Sequence, residues 1–420
     1  MIFMRVTAFL GAGACLDIEG PSTKDLTDLV RKKKQQFLDP FTKQMIEAPF
    51  VEDIASQLDS YFAPESCNFE DLFHVLEMMS SYFRGRQKHI IGKQYKPPLG
   101  AFITLNCDKW LTDKDKDAYM LSLGKLITAK KDILEIVAAQ IYKYMKSFES
   151  NHKYRWFADF WNDALNERAW DIATLNYDYS IEKSINKKII EDGYEKIDGQ
   201  GLYRFNPSKL IESNSSKILH LHGCILYGYA RRQNPNKYLF EDAFEDIYKF
   251  DTYERAKEKW FGRSINNSQA QEEAIVGPII TGLRKTDKLL YYPYNSYHYA
   301  LQQAIMQSPR LLIAGYSFGD LHFNALLERV TRLYGENRRV VIITYFDKDY
   351  WHPDPMFMGW PQVYTMTKFI ATVFHEQTPF NSNKFQSPLC SKDGCAKLYL
   401  CGMKEALENH GDEIIEFLTS

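Results

Sequence analysis

Six short apolar runs, each closed by a turn-forming or polar residue, limit what this chain can become. They are Ile2–Leu10, Asp171–Leu175, Ile218–Leu221, Ile275–Ile280, Leu311–Ala314 and Val340–Thr344. Uninterrupted runs rich in β-branched residues suit strands that are covered on both faces, as in parallel sheets. Gly11, Asn176, His222, Gly315 and Asp347 mark the ends of most of them. Polar groups and tight turns thus gather at the carboxyl ends of strands, where an open α/β sheet takes its ligand. The expectation is a doubly wound, Rossmann-like parallel sheet of about six strands with helical insertions.

The length between runs sets the organisation. A chain of 420 residues exceeds what one hydrophobic core usually serves, so insertions or lobes are expected. Residues 25–165 read as a helical insertion. Asn68 with Asp71 forms a start signal, and Phe69, Leu72, Phe73, Leu76 and Met79 follow at helical spacing. Residues 228–272 form a second insertion, rich in charges and aromatics. Residues 1–350 make the main domain and 351–420 a C-terminal extension, with a strand or helix near Met366–Phe374 and a last helix over Met403–Leu418.

Charge and cysteine usage exclude several classes. The net charge is −2, so no global basic field favours direct nucleic-acid or membrane binding. The basic run Arg31–Lys34 reads as a solvated helix face. Seven scattered cysteines suit free thiols in a reducing compartment, and Cys390, Cys395 and Cys401 lack the paired spacing of a zinc site. The apolar N-terminus is broken by Arg5 and too short to span a membrane. A soluble, cytoplasmic protein is expected.

Four strand-end motifs carry chemistry. Gly11-Ala12-Gly13-Ala14 puts two glycines after a strand, allowing close backbone approach to a pyrophosphate, but Leu16 stands where the full fingerprint has a third. No acidic ribose clamp follows some twenty residues on, which disfavours a nicotinamide dehydrogenase. Ser22 and Thr23 open a helix, with Ser22 and Asp25 as a capping box or as hydroxyls near a ribose or phosphate. Asn176 and Asp178 end a strand as turn formers or as ligands of a ribose or water. His220 and His222 flank Leu221 and are expected to face opposite ways, so that they do not share one metal. His220 reads as a core residue and His222, followed by Gly223, as the candidate general base. Gly315-Tyr316-Ser317-Phe318-Gly319-Asp320 supplies a second glycine-rich loop.

Taken in order, these motifs resemble the sirtuin family, and most nearly its bacterial, defence-associated branch. The resemblance rests on Gly11–Ala14, Gly20–Thr23, Asn68–Leu72, Thr174–Asp178, Leu221–Gly223 and Gly315–Asp320, and spans residues 1–345. It implies NAD as substrate. Gly11, Ala12 and Gly13 would cradle the pyrophosphate, with Ser22 and Thr23 nearby. Asn176 would touch the nicotinamide ribose or position water, and Asp178 would orient the nicotinamide. His222 would be the base, and Gly315, Ser317, Phe318 and Gly319 would hold the adenosine ribose. Deacylating sirtuins carry two cysteine pairs on zinc after the Asn strand; here Cys224 is the lone cysteine near that region. No zinc is therefore expected, and hydrolysis of NAD itself, giving nicotinamide and ADP-ribose in antiphage defence, becomes the expected activity. A non-catalytic NAD or ADP-ribose sensor and an NAD-dependent lysine deacylase are the alternatives. The resemblance further implies a homo-oligomer, or a ring-shaped DNA-translocase-type ATPase as partner.

Overall fold

The structure is a computed structural model. It describes residues 5–38, 42–85, 111, 116–185, 190–197, 201–229, 247–258, 265–266, 273–274, 279–282, 285, 289, 292–345, 361–376 and 388–420. A seven-stranded sheet forms its centre: β1 (Val6–Leu10), β2 (Trp170–Thr174), β3 (Lys217–His220), β4 (Arg310–Ala314), β5 (Arg339–Ile343), β6 (Leu389–Cys390) and β7 (Ala396–Tyr399). The order is β6-β7-β5-β4-β1-β2-β3. Every neighbouring pair is parallel except the edge pair β6–β7. Every residue of β1, β2 and β4 is buried, which is why these segments read as unbroken apolar runs.

Strand order reverses at β1. Phe9 lies opposite Ala173 of β2 on one side and Ile313 of β4 on the other. The loops after β1 and β4 therefore leave the sheet side by side, at the switch point where such folds bind ligands. At the other end of the strands, Arg5 makes a two-pronged ion pair with Asp171 and donates to the carbonyls of Asn214 and Ser215. The charge that interrupts the N-terminal apolar run is thus a clamp on the sheet.

Helices cover the sheet in two groups. In one, α5 (Arg155–Glu167) packs on α10 (Met403–Thr419), which lies against β4 and β5. In the other, α7 (Tyr294–Gln307) touches β2 and β3 and packs on α8 (Leu321–Tyr334), which meets α9 (Pro361–Phe374). Between β1 and β2 run α1 (Thr23–Lys32), α2 (Phe50–Phe62), α3 (Phe69–Gly85), α4 (Lys116–Glu149) and α5; a short α6 (Ser180–Ser184) follows β2. The start of α1 is a reciprocal capping box. Ser22 Oγ accepts from the Asp25 N–H at 3.1 Å and Asp25 accepts from the Ser22 N–H at 2.9 Å. Asn68 and Asp71 do the same for α3.

Three features depart from the sequence reading. The segment 25–165 is mostly helical but includes an antiparallel hairpin, Gln35–Leu38 with Met45–Ala48; strands this short and polar leave no run to read. The run Ile275–Ile280 supplies no sheet strand among the described residues. Residues 275–278 lie outside them, and Ile279 makes one isolated bridge to Gly223. The last strands come instead from β6 and β7. The fully buried Arg338 ties this tail down, donating to Val373 O and pairing with Asp393 at 2.7 Å. Burial pushes the Asp393 carboxyl up, but bonds from Ser391, the Cys395 N–H and Arg338 bring it to about 2. Most of 228–272 lies outside the described residues. Tyr227–Tyr229 and Ile247–Phe250 join Tyr194–Ile197 and Leu202–Phe205 in a small antiparallel sheet. No helix among the described residues is long and apolar enough to cross a membrane.

Candidate active site

The two glycine-rich loops pack backbone to backbone. The Gly13 N–H donates to Gly315 O at 2.7 Å, and the Ala14 N–H to Gly11 O at 3.0 Å. A Cβ on Gly13 would come within 2.8 Å of the Gly315 Cα, and one on Gly315 within 2.0 Å of the Ala14 nitrogen. Gly315 also has φ +60°, which favours glycine. The glycines thus let the loops touch across the switch point. After β1 the chain enters a 3₁₀ helix, Ala12–Ile18, rather than the α-helix of a full dinucleotide fingerprint.

On one side of the strand ends is a cavity lined by Leu10, Ala14, Cys15, Thr174, Asn176, Asp178, Glu182 and His220 among others. Asn176 is half-buried there and its N–H donates to Thr174 Oγ1. Asp178, not Asn176, makes the turn that starts α6: its Oδ1 accepts from the Ser180 N–H at 2.9 Å. The other oxygen, Oδ2, is buried with no hydrogen-bond partner. Burial pushes the Asp178 carboxyl up, and Glu182 adds to this. His220 Nε2 meets Glu182 Oε1 at 2.9 Å. Burial raises Glu182, but the His220 ring more than reverses it and holds the carboxyl below its ordinary value. Burial also lifts the Cys15 thiol well above its usual range, and so disfavours a reactive thiolate.

His222 lies elsewhere. Strand alternation would put residues two apart on one face, so alternation is not what separates the two histidines. The strand stops at His220 and the chain turns: the Leu221 N–H donates to Leu219 O, and the Gly223 N–H to His220 O. This swings His222 against Phe323 of α8, with ring centroids 6.0 Å apart. His222 O accepts from the Ile280 N–H at 2.7 Å. Asp320, at the start of α8, lies on this side and is influenced by His222. Burial pushes its carboxyl up, and His222, Lys285 and His322 more than reverse this. Lys285 Nζ reaches Asp320 Oδ1 at 3.3 Å and Glu70 Oε2 of α3 at 3.1 Å.

The structure therefore brings Asn176, Asp178 and His220 to one cavity and sets His222 against Phe323 of α8. Ser317 and Gly319 are exposed in the second loop. Phe318 is buried against Tyr316 and Phe369, so its ring faces the core. It holds φ +59°, a conformation costing roughly 1–2 kcal/mol in a residue with a side chain, and Asn324 Nδ2 donates to its carbonyl at 2.8 Å. The Ser22 hydroxyl is engaged in the α1 cap, and Thr23 opens that helix. Sequence reasoning missed Glu182, Lys285 and Asp320 as partners; only the GYSFGD and NFED motifs hinted at the last and at Glu70. Among the described residues, no group of three or more His, Cys, Asp or Glu side chains is arranged to hold a metal ion.

A mostly parallel Rossmann-like sheet with polar side chains at its strand ends defines the doubly wound class of α/β protein. Residues 171–355 match the family profile of the SIR2-like domain. That segment holds the Asn176–Asp178, His220–Gly223 and Gly315–Asp320 motifs, while β1 and the Gly11–Gly13 loop precede it. The match supports a sirtuin-like family and NAD-related chemistry in the broad sense. No curated protein matches the chain.

Proposed function

We propose that this protein binds NAD across the ends of β1–β4 and hydrolyses the bond between nicotinamide and ribose. The observation that carries this reading is Asp178 Oδ2, buried and without a partner in a cavity shared with Asn176, within the SIR2-like segment. A buried oxygen of this kind is costly unless a ligand satisfies it, and the amide of nicotinamide offers the matching donor. The exposed Ala12, Ser317 and Gly319 would lie along the pyrophosphate and adenosine ribose.

The chemistry asks little of a general acid. Nicotinamide leaves with the bonding electron pair as a neutral ring, so no proton need be added to it, unlike an ordinary O-glycoside. Positive charge develops on the ribose, and water adds at the anomeric carbon and gives up one proton. Asn176 would fix that water or the ribose hydroxyl without adding charge. His222 would take the proton, the role an imidazole commonly fills near neutral pH. The products are nicotinamide, ADP-ribose and a proton. Released in a cell, this activity would deplete NAD, the expected outcome in antiphage defence. A homo-oligomer, or assembly with a ring-shaped ATPase, would gate it.

The test is nicotinamide release from NAD by the purified protein across a range of protein concentrations. His222→Ala and Asn176→Ala should each slow it by about a hundredfold or more. A steep concentration dependence, with larger species in light scattering, would support gating by assembly. Folded variants that keep near-normal turnover would overturn the assignment.

A further inference from the structure

The cavity at the end of β2 is short of donors. Its lining side chains leave three buried atoms without a hydrogen-bond partner: Asp178 Oδ2, Glu182 Oε2 and His220 Nδ1. Two of these residues are almost wholly enclosed, Asp178 at 5% exposed and His220 at 1%. A carboxylate oxygen can only accept. In the neutral His220 ring the proton on Nε2 faces Glu182 Oε1 at 2.9 Å, which leaves Nδ1 an acceptor too. Among the described residues, no Lys or Arg lines the cavity.

Local geometry sets Glu182 close to Asp178. Asp178 Oδ1 accepts from the Ser180 N–H and so starts α6. Glu182 follows within the first turn of that helix, and both side chains line the same cavity. His220 fixes Glu182 through Oε1 alone, which leaves Oε2 as the oxygen with nothing to accept. The same histidine holds the Glu182 carboxyl below its ordinary value, so it is an anion at neutral pH. Buried acceptors of this kind ask for N–H groups. A primary amide offers two on one nitrogen. A carboxylate offers none and sets its own lone pairs and charge against those already there, a mismatch that a hydrogen-bonding site rejects strongly.

We propose that Glu182 is a specificity-determining residue of this site: its Oε2 accepts the second N–H of the nicotinamide carboxamide, beside the one that Asp178 takes, so that the protein binds the amide form of the dinucleotide and rejects the acid form. The inference rests on the NAD reading, with the pyridine end of the ligand entering this cavity. It does not require that the bond to ribose be cleaved.

The experiment is saturation-transfer NMR on the full chain, reading the pyridine-ring protons of NAD and of nicotinic acid adenine dinucleotide over a concentration series. Wild type should bind NAD at least about a hundredfold more tightly. Glu182→Gln keeps the size of the side chain and an oxygen for His220 but puts an N–H donor where Oε2 stood. The preference should then shrink by about tenfold or more. Equal binding of the two dinucleotides by wild type, or an unchanged preference in folded Glu182→Gln, overturns the inference and leaves the NAD reading standing. If Glu182→Gln does not fold, Glu182→Asp decides. It keeps the charge and gives up reach, so NAD should bind about tenfold more weakly while the acid form stays excluded; unchanged affinity for NAD overturns the inference. Binding of neither dinucleotide by wild type overturns the NAD reading and this inference with it. Nicotinamide release is the separate arm: no release beside selective binding removes the hydrolysis and leaves the inference standing.

Discussion

His220 and His222 are two residues apart and sit in different chemical worlds. His220 ends a strand, is 1% exposed and is locked to Glu182, in a cavity whose other carboxyl, Asp178, is pushed toward neutrality. His222 follows a turn, is 2% exposed and lies with its ring tilted against Phe323 of α8, whose N-cap Asp320 pairs with Lys285. The first histidine completes a closed hydrogen-bonded pair. The second is equally buried but faces a different set of neighbours. One turn at the end of β3 thus separates the histidine read as structural from the one proposed as the base.

The largest effect that can break this comparison is kinetic. His222→Gln should cut nicotinamide release at least about a hundredfold while the urea midpoint changes little. If a folded His220 variant shows that loss and His222→Gln does not, the roles are exchanged. Next in size is stability: His220→Ala should cost about 2 kcal/mol, because it leaves the Glu182 oxygen without its hydrogen-bond partner. Replacing both His220 and Glu182 by apolar residues should recover much of that, as read by urea unfolding.

Asp178→Asn sharpens the cavity side. Burial raises the folded-state pKa of Asp178, so wild type loses stability as pH climbs above the unfolded-state value of about 3.9 and through the folded one. The asparagine variant escapes that loss. Its melting temperature should exceed that of wild type by more at pH 7 than at pH 4, and a gain that does not grow with pH would contradict the assignment. The smallest effect lies away from both histidines. Ser22→Ala should cost about 1 kcal/mol by removing the α1 cap and leave turnover per folded molecule unchanged. A larger loss of turnover would mean that the hydroxyl meets the substrate as well.

What could be read from the chain follows the range of the interactions. β1, β2 and β4 were legible because burial on both faces leaves unbroken apolar runs, and the Ser22 and Asn68 caps because a cap and its partner lie three residues apart. The candidate residues Asn176, Asp178 and His222 stood out as polar groups at strand ends. Their partners did not. Glu182 meets His220 across 38 residues, and Lys285 reaches Glu70 from far along the chain, so no local pattern announces either pair. Strands of two and four residues at β6 and β7 are too short to show a period. His220 and His222 do part, as expected, but through a turn after β3 and not through strand alternation, which would have kept them on one face.

The tail has a consequence for how the molecule is born. Residues 389–419 supply β6, β7 and the helix that covers β4, β5 and α5. While the chain is being synthesised, everything from Gly11 to Asp320 leaves the ribosome before that cover exists. Domains generally fold as units, so the strand ends that carry Asn176, His222 and Asp320 gain their full packing once residues 389–419 are in place. Under the NAD-cleaving reading, a chain that has not yet added residues 389–419 would be expected to cleave NAD poorly, although none of the candidate site residues lies there.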